Sequence, residues 1–364
     1  MQLRQVGELN LLRKIREKFS ANLNAVDSGI IVGIGDDAAV ICPQQDRIIV
    51  TTDMMNEGIH FDLSYTGPYQ LGFKLVSVNV SDIMAMGGTS RYLFLNVALK
   101  KDADEDFFWK LYDGMAAAMD MYGVSLLGGD LCAADNDMVV SATIIGVGNT
   151  IVTRGGASAG ERIYVTSTLG DSACGLEILR RLTQESKEMI KNKKLIGNNE
   201  KTKGDDKILV QLAGQPSLRT LRWDSVEPLI ERHLMPVARD SHPYLRYATS
   251  MIDVSDGLFI DLTRICDESK VGVRVYLDRI PISKELAHVS GAMGLDPLAM
   301  ATSGGEDYEL LFTAPDFAPE SDDVKGGLKV TCIGEVIEKE RIVIDRMGNA
   351  DRLTSEGYEH FGSS

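Results

Sequence analysis

A series of acidic turns contains the residue types in this sequence that point most directly to chemistry. Each one follows a predicted strand or lies in a predicted helix beside small residues, and the set comprises Asp36, Asp37, Asp53, Asp82, Asp130, Asp253 and Asp256. Mg²⁺ typically binds one or two carboxylates together with phosphate oxygens and water. A single Asp of this kind is explained by helix capping or turn formation. Their recurrence predicts a site that holds several Mg²⁺ ions on a triphosphate.

Two threonines and a histidine flank Asp53. Thr51 and Thr52 stand directly before it at the end of a predicted strand, so their side-chain or carbonyl oxygens are candidates to complete a metal shell. The alternative is that they are β-branched residues of an ordinary strand edge. His60 follows in NEGIHFDL, and its spacing does not decide between a ligand and a surface residue. The sequence has no HExxH pattern, which weighs against zinc.

Glycine-rich turns accompany the carboxylates. Gly129 precedes Asp130 in LGGD, and a glycine lets the backbone approach a ligand without a Cβ clash. In DVSDG (253–257), Ser255 or Asp256 is an expected helix N-cap, and the same helix start offers N–H groups to a phosphate. Glu306 stands in a further turn of this kind, SGGEDY. The sequence contains no Walker A loop and no GxGxxG between a strand and a helix.

Length, composition and charge bound the class of protein. The chain has 364 residues, 44% of them hydrophobic, so we expect two domains with ordinary cores. The net charge of −15 argues against nucleic acid and anionic membrane as partners but permits a nucleotide held through divalent metals. The N-terminal stretch has no apolar h-region, so we expect no signal peptide; no 18-residue apolar run is seen, and the five cysteines are scattered. We therefore expect a cytoplasmic protein with reduced thiols.

Hydrophobic periodicity and turn residues place these motifs on elements. Helices are predicted over residues 1–19, 69–86, 105–122, 170–182, 226–234 and 258–269. Strands are predicted over residues 47–52, 92–98, 124–127, 138–146, 161–166, 250–254, 272–276, 306–312, 329–333 and 341–344. Residues 183–220 are polar, and we expect an insertion or a mobile surface loop there.

The motifs, taken together and in order, resemble those of the thiamine-monophosphate kinase family. They are GIGDDAAV (33–40), TTDMMNEGIHF (51–61), VNVSDIMAMGG (78–88), LGGD (127–130), DVSDGL (253–258), SGGEDYELLF (303–312) and GYEHFG (357–362). The acidic turns are shared with the wider superfamily of aminoimidazole-ribonucleotide synthetase, whereas EGIHF and GGEDYELLF favour the kinase. The resemblance spans nearly the whole chain.

The resemblance implies a two-domain α+β and α/β fold. Residues 1–153 would form an N-terminal α+β domain that binds ATP and metal and builds an intersubunit β-barrel in a homodimer. Residues 154–364 would form a C-terminal α/β domain with a mixed sheet and the polar insertion near 183–220.

The resemblance also implies the reaction and the residues that serve it. Thiamine phosphate would receive the γ-phosphate of ATP by in-line transfer assisted by several Mg²⁺ ions, giving thiamine diphosphate. The implied metal ligands are Asp37, Thr51, Thr52, Asp53, Asp82, Asp130, Asp253 and Asp256. The implied nucleotide residues are Tyr112, Gly129, Asp130, Arg154 and Ser255, with Arg154 also neutralising charge. The implied thiamine-phosphate residues are His60, Glu306 and Tyr358. No acid or base is expected, because the attacking phosphate oxygen is already ionised.

Two alternatives stay open at this point. One is another ATP-dependent synthetase of the superfamily; a selenide-handling enzyme would need a reactive cysteine near the N-terminus, and the first cysteine here is Cys42. The other is a non-catalytic module that binds Mg²⁺-nucleotide or Ca²⁺, although the DxDxDG loop of an EF-hand is absent. Nucleotide binding without turnover would favour the module.

Overall fold

A computed structural model describes residues 14–15, 17–19, 30–32, 40–41, 47–191, 209–211, 220–315 and 328–354. Two sites implied by the resemblance, Asp37 and Tyr358, lie outside these ranges, as do residues 192–208. The chain divides into two compact units. The first comprises Met1–Ile83, Gly88–Asn149 and Lys187–Leu195, and the second comprises Met84–Gly87, Thr150–Ser186 and Ile196–Ser364.

The first unit is built on a four-stranded mixed sheet. Its strands are β3 (Arg47–Asn56), β4 (Thr89–Lys100), β5 (Ser125–Ala134) and β6 (Val139–Gly148), in the spatial order β3-β6-β4-β5. The pairs β3–β6 and β4–β6 are antiparallel, and β4–β5 is parallel. A separate antiparallel pair is formed by β1 (Ile30–Val32) and β2 (Val40–Ile41).

Two long helices accompany this sheet: α1 (Pro68–Ala85) and α2 (Glu105–Tyr122). Both match the predicted helices within a residue or two. Asp104 caps the start of α2 by accepting the N–H of Asp106, and Gly123 ends it in the left-handed conformation at φ 67°. The buried side chains of α1 recur at helical spacing, as in Leu71 and Leu75. Residues 14–15 and 17–19 are also helical.

Two strands of this sheet are longer than predicted, and the extra residues carry site motifs. β3 continues through Asp53, which pairs with Ala142 inside the ladder instead of following the strand. β5 continues through Gly129 and Asp130, which pair with Leu95 and Asn96, where a loop was expected. The polar residues and glycines suggested turns, but cross-strand pairing on both sides of β6 and β4 extends the strands past them.

The second unit is built on a seven-stranded mixed sheet in the order β10-β12-β7-β13-β11-β14-β15. The strands are β7 (Arg162–Thr166), β10 (Ser250–Asp253), β11 (Gly272–Tyr276), β12 (Leu310–Ala314), β13 (Val330–Ile337), β14 (Arg341–Ile344) and β15 (Ala350–Arg352). Only β11–β14 pairs in parallel among the described strands of this sheet. Residues 306–309, predicted as part of a strand, instead form the loop before β12.

Helices cover the second sheet. They are α3 (Asp171–Arg181), α5 (Trp223–Leu234), α6 (Leu258–Ser269), α7 (Lys284–Met293) and α8 (Pro297–Ser303), with 3₁₀ turns at His242–Tyr244 and Leu277–Arg279. Strand side chains alternate between two buried clusters. Ile163 and Val165 pack with Leu262 of α6, whereas Tyr164 stacks on Phe312 at 5.4 Å between ring centroids.

The expectation of an insertion or mobile loop over residues 183–220 is wrong for its first part. Residues Gln184–Lys191 form a helix, α4, and Ile190 on it is fully buried. The Gln70 amide donates to the carbonyl of Ile190 at 2.9 Å, which fixes the C-terminal end of α4 on the first unit. Residues at the other end form a short antiparallel pair, β8 (Leu209–Gln211) with β9 (Thr220–Arg222). The segment is polar overall, so its sequence did not predict that Ile190 would be buried and would hold the helix in place.

Among the described residues, no helix is both long enough and apolar enough to span a membrane.

Candidate functional site

An oxygen-rich cluster joins β3 to α1 in the first unit. The Thr51 hydroxyl donates to Asp82 Oδ2 at 2.6 Å, and the backbone N–H of Asp53 donates to Asn79 Oδ1 at 3.1 Å. Thr51 and Asp53 are two residues apart on a strand and share a face, while Asn79 and Asp82 are three apart on a helix. The cluster therefore presents two carboxylates and a hydroxyl on the same side of the sheet, which is a donor set that suits a hard cation.

Thr52 and Asp130 lie on the opposite face of the sheet. The Thr52 hydroxyl donates to the carbonyl of Ala142 at 3.1 Å and accepts from Thr143, its cross-strand partner, at 3.0 Å. Asp130 is exposed on β5 and accepts from the N–H of Leu131 at 2.9 Å. Asp53 and Gly129 stand in one row but three strands apart, about 14 Å at the usual strand spacing. One sheet does not bring Asp53 and Asp130 together.

Gly129 is required by the neighbouring strand. Its φ is 149°, and a Cβ built on it would lie 1.7 Å from the carbonyl oxygen of Leu95 on β4. The close approach that the sequence suggested is therefore to β4, and it needs no ligand to explain the glycine.

His60 lies in a tight turn directly after β3. Its backbone N–H donates to the carbonyl of Asn56, and its Nδ1 accepts the N–H of Asn56 at 3.0 Å. An accepting Nδ1 places the proton of the neutral imidazole on Nε2. The turn thus fixes the orientation of the ring.

Two residues implied for the nucleotide have contrasting surroundings. Tyr112 is 4% exposed within α2 and packs against Phe108 with ring centroids 4.7 Å apart, and burial raises its pKa. Arg154, in the second unit, is exposed in the segment before β7, where its carbonyl accepts from Ser269 at 2.8 Å.

The DVSDG loop between β10 and α6 is organised by an aspartate that sequence reasoning missed. The N–H groups of Ser255, Asp256 and Gly257 all donate to Asp261 Oδ2, at 3.0, 3.1 and 3.1 Å. Asp261 is fully buried on the first turn of α6. The predicted capping by Ser255 or Asp256 is wrong: Gly257 is the N-cap residue, without a side-chain cap, and Asp261 takes over the N–H groups.

Arg264 links this loop to the buried aspartate. Its guanidinium contacts Asp256 Oδ2 at 2.6 Å and Asp261 Oδ1 at 2.5 Å. Burial raises the pKa of Asp261 to about 6, Asp256 adds to the rise, and Arg264 opposes it. Asp253 is the last residue of β10 and is 3% exposed. The loop is thus a rigid turn whose carboxylates already have an internal cation beside them.

The loop that contains Glu306 packs on DVSDG. The N–H of Glu306 donates to the carbonyl of Ser255 at 2.7 Å, and that of Tyr308 donates to the carbonyl of Val254 at 2.8 Å. Glu306 and Tyr308 adopt φ values of 65° and 51°, which are sparsely populated for residues other than glycine. Such strain persists only where surrounding structure enforces it, and it concentrates at functional sites.

Two buried carboxylates, those of Asp307 and Glu309, follow Glu306 in this loop. Glu309 is fully buried and is bound by Arg232 at 2.6 Å and by Arg239 at 2.8 Å, with the Thr166 hydroxyl at 2.6 Å. The Asp307 carboxylate accepts the N–H groups of Gly170 and Ser172 at 2.6 and 3.2 Å, at the start of α3. Burial raises the pKa of Asp307 to about 7, although Arg232 and these N–H groups oppose the rise.

The raised pKa of Asp307 predicts a stability that depends on pH. Between its unfolded value of 3.8 and about 7, the folded chain holds a proton on Asp307 that the unfolded chain has released. Stability through this group is therefore full below pH 4 and falls as pH rises towards 7. Relative to an Asp307→Asn variant, the denaturant midpoint of the unsubstituted protein should drop between pH 5 and pH 7. Exposed Asp351→Asn is the control; an unchanged difference for Asp307→Asn would contradict the protonated state.

The residues that the structure describes do not include Asp36 and Asp37. Within the described residues, no group of three or more His, Cys, Asp or Glu side chains is arranged to hold a metal ion. The β3–α1 cluster still fits Mg²⁺ in kind, because Mg²⁺ needs few protein ligands when phosphate oxygens and waters supply the rest. Its donors are all oxygens, and Thr51 and Asp82 already lie 2.6 Å apart.

Two residues of these clusters, Asn79 and Asp261, are not among the predicted site residues. Asp261 looks like an ordinary helix residue, and Asn79, although it lies inside the motif VNVSDIMAMGG, looks like a polar residue of a helix. Spacing from a known motif was the available signal: Asn79 stands three residues before Asp82, and Asp261 stands four after Gly257.

Comparison with known proteins supplies the family. A model of the AIR synthase related proteins, N-terminal domain, matches residues 35–148, and its C-terminal counterpart matches residues 158–346. Thiamine-monophosphate kinase of Aquifex aeolicus is 30% identical over 99% of this chain and 100% of its own length.

Two solved structures are similar over more than nine tenths of the chain. Thiamine-monophosphate kinase from Stenotrophomonas maltophilia K279a has a TM-score of 0.73 and 29% identity, covering 92% of this chain and 96% of its own. A structure described as AaThiL complexed with AMPPCP and TMP has a TM-score of 0.68 and 29% identity, covering 99% of both chains. The two-unit α+β architecture with mixed sheets is the one seen in these proteins.

Proposed function

We propose that this chain, which belongs to the thiamine-monophosphate kinase family of the AIR synthase related proteins, transfers the γ-phosphoryl group of ATP to thiamine phosphate. The products are thiamine diphosphate and ADP. The observation that carries this proposal is the likeness, over 99% of both chains, to a relative complexed with AMPPCP, an ATP analogue, and TMP, thiamine phosphate.

For this reaction the protein must position the two substrates and neutralise their negative charge. It does not need a general base. The attacking group is a phosphate oxygen that is ionised at neutral pH, and it must meet the γ-phosphorus in line. Two anions are brought together, so neutralisation of their charge is the main requirement. Mg²⁺, when bound, would supply that charge on the phosphate oxygens. Arg154, whose side chain is exposed, would add a guanidinium contact to the nucleotide phosphates.

The metal ligands we propose are those implied by the family. In the first unit, Asp53, Asp82 and Thr51 are supported by the all-oxygen cluster between β3 and α1. Thr52 and Asp130 would serve from the other face of the sheet, and Asp37 lies outside the described residues. In the second unit, Asp253 and Asp256 stand on the rigid DVSDG loop.

The nucleotide and acceptor residues follow in the same way. For the nucleotide we propose Gly129, Asp130, Arg154 and Ser255; Tyr112 enters through the family resemblance alone, because its ring is buried. For thiamine phosphate we propose His60, whose Nε2 carries a proton, and Glu306, whose carboxylate is 28% exposed. Glu306 would face the positive charge or the amine of the thiamine rings. Tyr358 lies outside the described residues.

An exposed apolar face supports a homodimer. Ile48, Val50 and Met54 of β3 are 50%, 60% and 62% exposed, and β3 is an edge strand of its sheet. An apolar row on an edge strand invites pairing with a second copy. Thr52 and Asp130 lie on the same face. A two-fold partner that covers this face would close the two sheets into the barrel implied by the family.

The dimer can be tested by one added charge. Sedimentation at micromolar concentration should show two subunits for the unsubstituted protein and one for Val50→Glu, because a carboxylate would be buried without a partner. Met121→Glu is a matched control: Met121 is 47% exposed on α2, and its substitution should leave two subunits. A monomeric unsubstituted protein would remove the shared barrel.

One assay tests the function. Purified protein with ATP, Mg²⁺ and thiamine phosphate should yield thiamine diphosphate and ADP in equal amounts, resolved by chromatography. Omission of thiamine phosphate should leave ATP intact. Binding of nucleotide without thiamine diphosphate formation would indicate a non-catalytic module or a different acceptor.

A further inference from the structure

A buried histidine lies behind the carboxylate of Glu306. His233 is in the last turn of α5, and its side chain is 5% exposed. Its Nδ1 lies 3.1 Å from Glu306 Oε2 and 3.2 Å from the hydroxyl of Ser172 at the start of α3. Three elements therefore meet at one ring nitrogen: the end of α5, the start of α3 and the loop before β12.

The position of the histidine is fixed by close helix packing. A Cβ built on Gly175 of α3 would lie 2.1 Å from the carbonyl oxygen of Leu229 and 3.2 Å from His233 Cβ. Any larger residue at Gly175 would push the two helices apart. The backbone contact between α3 and α5 thus leaves the imidazole little freedom to move away from Glu306.

The position of Glu306 is fixed from the other side. Its N–H is held by the carbonyl of Ser255, and its backbone is in the left-handed region. The next residue, Asp307, accepts the N–H groups of Gly170 and Ser172. The loop is therefore anchored to the same α3 start that carries the Ser172 hydroxyl, and the Glu306 side chain emerges at a defined place.

A hydrogen bond to Glu306 requires the tautomer of His233 with the proton on Nδ1, whereas in the other tautomer Nδ1 would accept from the Ser172 hydroxyl. An ionised carboxylate only accepts, so the contact to Glu306 Oε2 is a hydrogen bond only if Nδ1 carries a proton. Ser172 Oγ then accepts a share of the same proton. A histidine protonated only on Nε2 would set a lone pair against the carboxylate.

From this geometry we infer that His233 is a positioning residue: its Nδ1–H holds the Glu306 carboxylate in the orientation that receives the cationic acceptor. The inference deepens the proposed function and rests on it, because Glu306 is the acceptor residue proposed there. A carboxylate that recognises a cation gains from a second hydrogen bond that locks its rotamer, as metal ligands gain from their outer partners. His233 therefore affects the affinity for thiamine phosphate and does not affect the affinity for ATP.

Two substitutions separate the donor from the packing. His233→Leu fills the site but removes the donor, while His233→Asn is smaller than Leu but keeps an N–H close to the place of Nδ1. Calorimetric titration of thiamine phosphate should give affinity weakened roughly tenfold in His233→Leu and restored to within about threefold in His233→Asn. AMPPCP affinity should stay unchanged in both. His288→Leu, on the exposed side of α7, is the control for loss of an imidazole.

A second background shows whether the effect passes through Glu306. In a Glu306→Gln protein, whose own affinity for thiamine phosphate is weakened, His233→Leu should cause no further loss. If His233→Leu fails to fold, His233→Gln takes its place, because the longer amide puts its donor near the place of Nε2 and should bind like the Leu variant.

The outcomes separate the inference from the function. Unchanged affinity in His233→Leu, equal weakening in His233→Asn and His233→Leu, or an additive loss in Glu306→Gln overturns the inference while the kinase function stands. An unsubstituted protein that neither binds nor phosphorylates thiamine phosphate overturns the proposed function, and the inference with it.

Discussion

Replacement of Asp53 by Asn is expected to lower the turnover number for thiamine phosphate by about a hundredfold or more, with the fold intact. Asn has the shape of Asp without its charge, so the ladder of β3 with β6 and the N–H bond from residue 53 to Asn79 are kept. What is lost is a carboxylate in the all-oxygen cluster with Thr51 and Asp82. The binding of Mg²⁺ together with the nucleotide should weaken for the same reason.

Two measurements check this expectation. Steady-state kinetics gives the loss in turnover, and calorimetric titration of Mg²⁺ in the presence of AMPPCP gives the loss in metal affinity without any catalysis. Asp120→Asn, an exposed position on α2 of the same unit, is the matched control and should behave like the unsubstituted protein. Normal turnover in a folded Asp53→Asn protein would remove Asp53 from the metal ligands.

Replacement of Glu309 by Ala is expected to destabilise the second unit by roughly 3–5 kcal/mol. The fully buried carboxylate is the shared counter-ion of Arg232 and Arg239, whose side chains are only 16% and 15% exposed. Its removal leaves two buried guanidinium groups without that partner. The Thr166 hydroxyl also loses its 2.6 Å acceptor.

A second carboxylate–arginine pair in the same sheet supplies the control. Glu335 of β13 contacts Arg274 of β11 at 2.6 Å, but these side chains are 28% and 38% exposed. Solvent screens such a pair, so Glu335→Ala should change the unfolding midpoint much less. Thermal and denaturant unfolding of both variants measures the difference. Equal small effects would show that the two arginines find other partners when Glu309 is absent.

The sequence predicted elements well where one periodicity dominated. α1, α2 and α6 have apolar spacing, and Gly123 supplies a clear stop for α2, so their bounds agree with the structure. The predicted strands of the first sheet lie in the right places, but the predictions for β3 and β5 end too early, at polar residues or glycines. A strand ends where its partners end, and the partners of Asp53 and Gly129 are distant in sequence.

The candidate site was predictable as a set of residue types and less so as an arrangement. Motif order identified the family, and the structure adds which side chains touch. Asp53 and Asp130 are both acidic residues in motifs, but strand alternation puts them on opposite faces of one sheet. Asp261 and His233 escaped notice because their roles depend on a loop and a helix start that tertiary packing brings to them.

The helix over Gln184–Lys191 has a consequence for how the chain matures on the ribosome. Its residues from Lys187 onward belong to the first unit, although α3 of the second unit precedes them in the chain. Gln70 needs the carbonyl of Ile190, and Lys191 lies so close to Gly67 that a Cβ there would meet its carbonyl oxygen at 2.3 Å. Domains usually fold in order as they emerge during synthesis. Here the N-terminal unit cannot complete its packing until Lys191 has been translated. A polypeptide truncated near residue 153 would lack the segment that packs against Gly67 and Gln70.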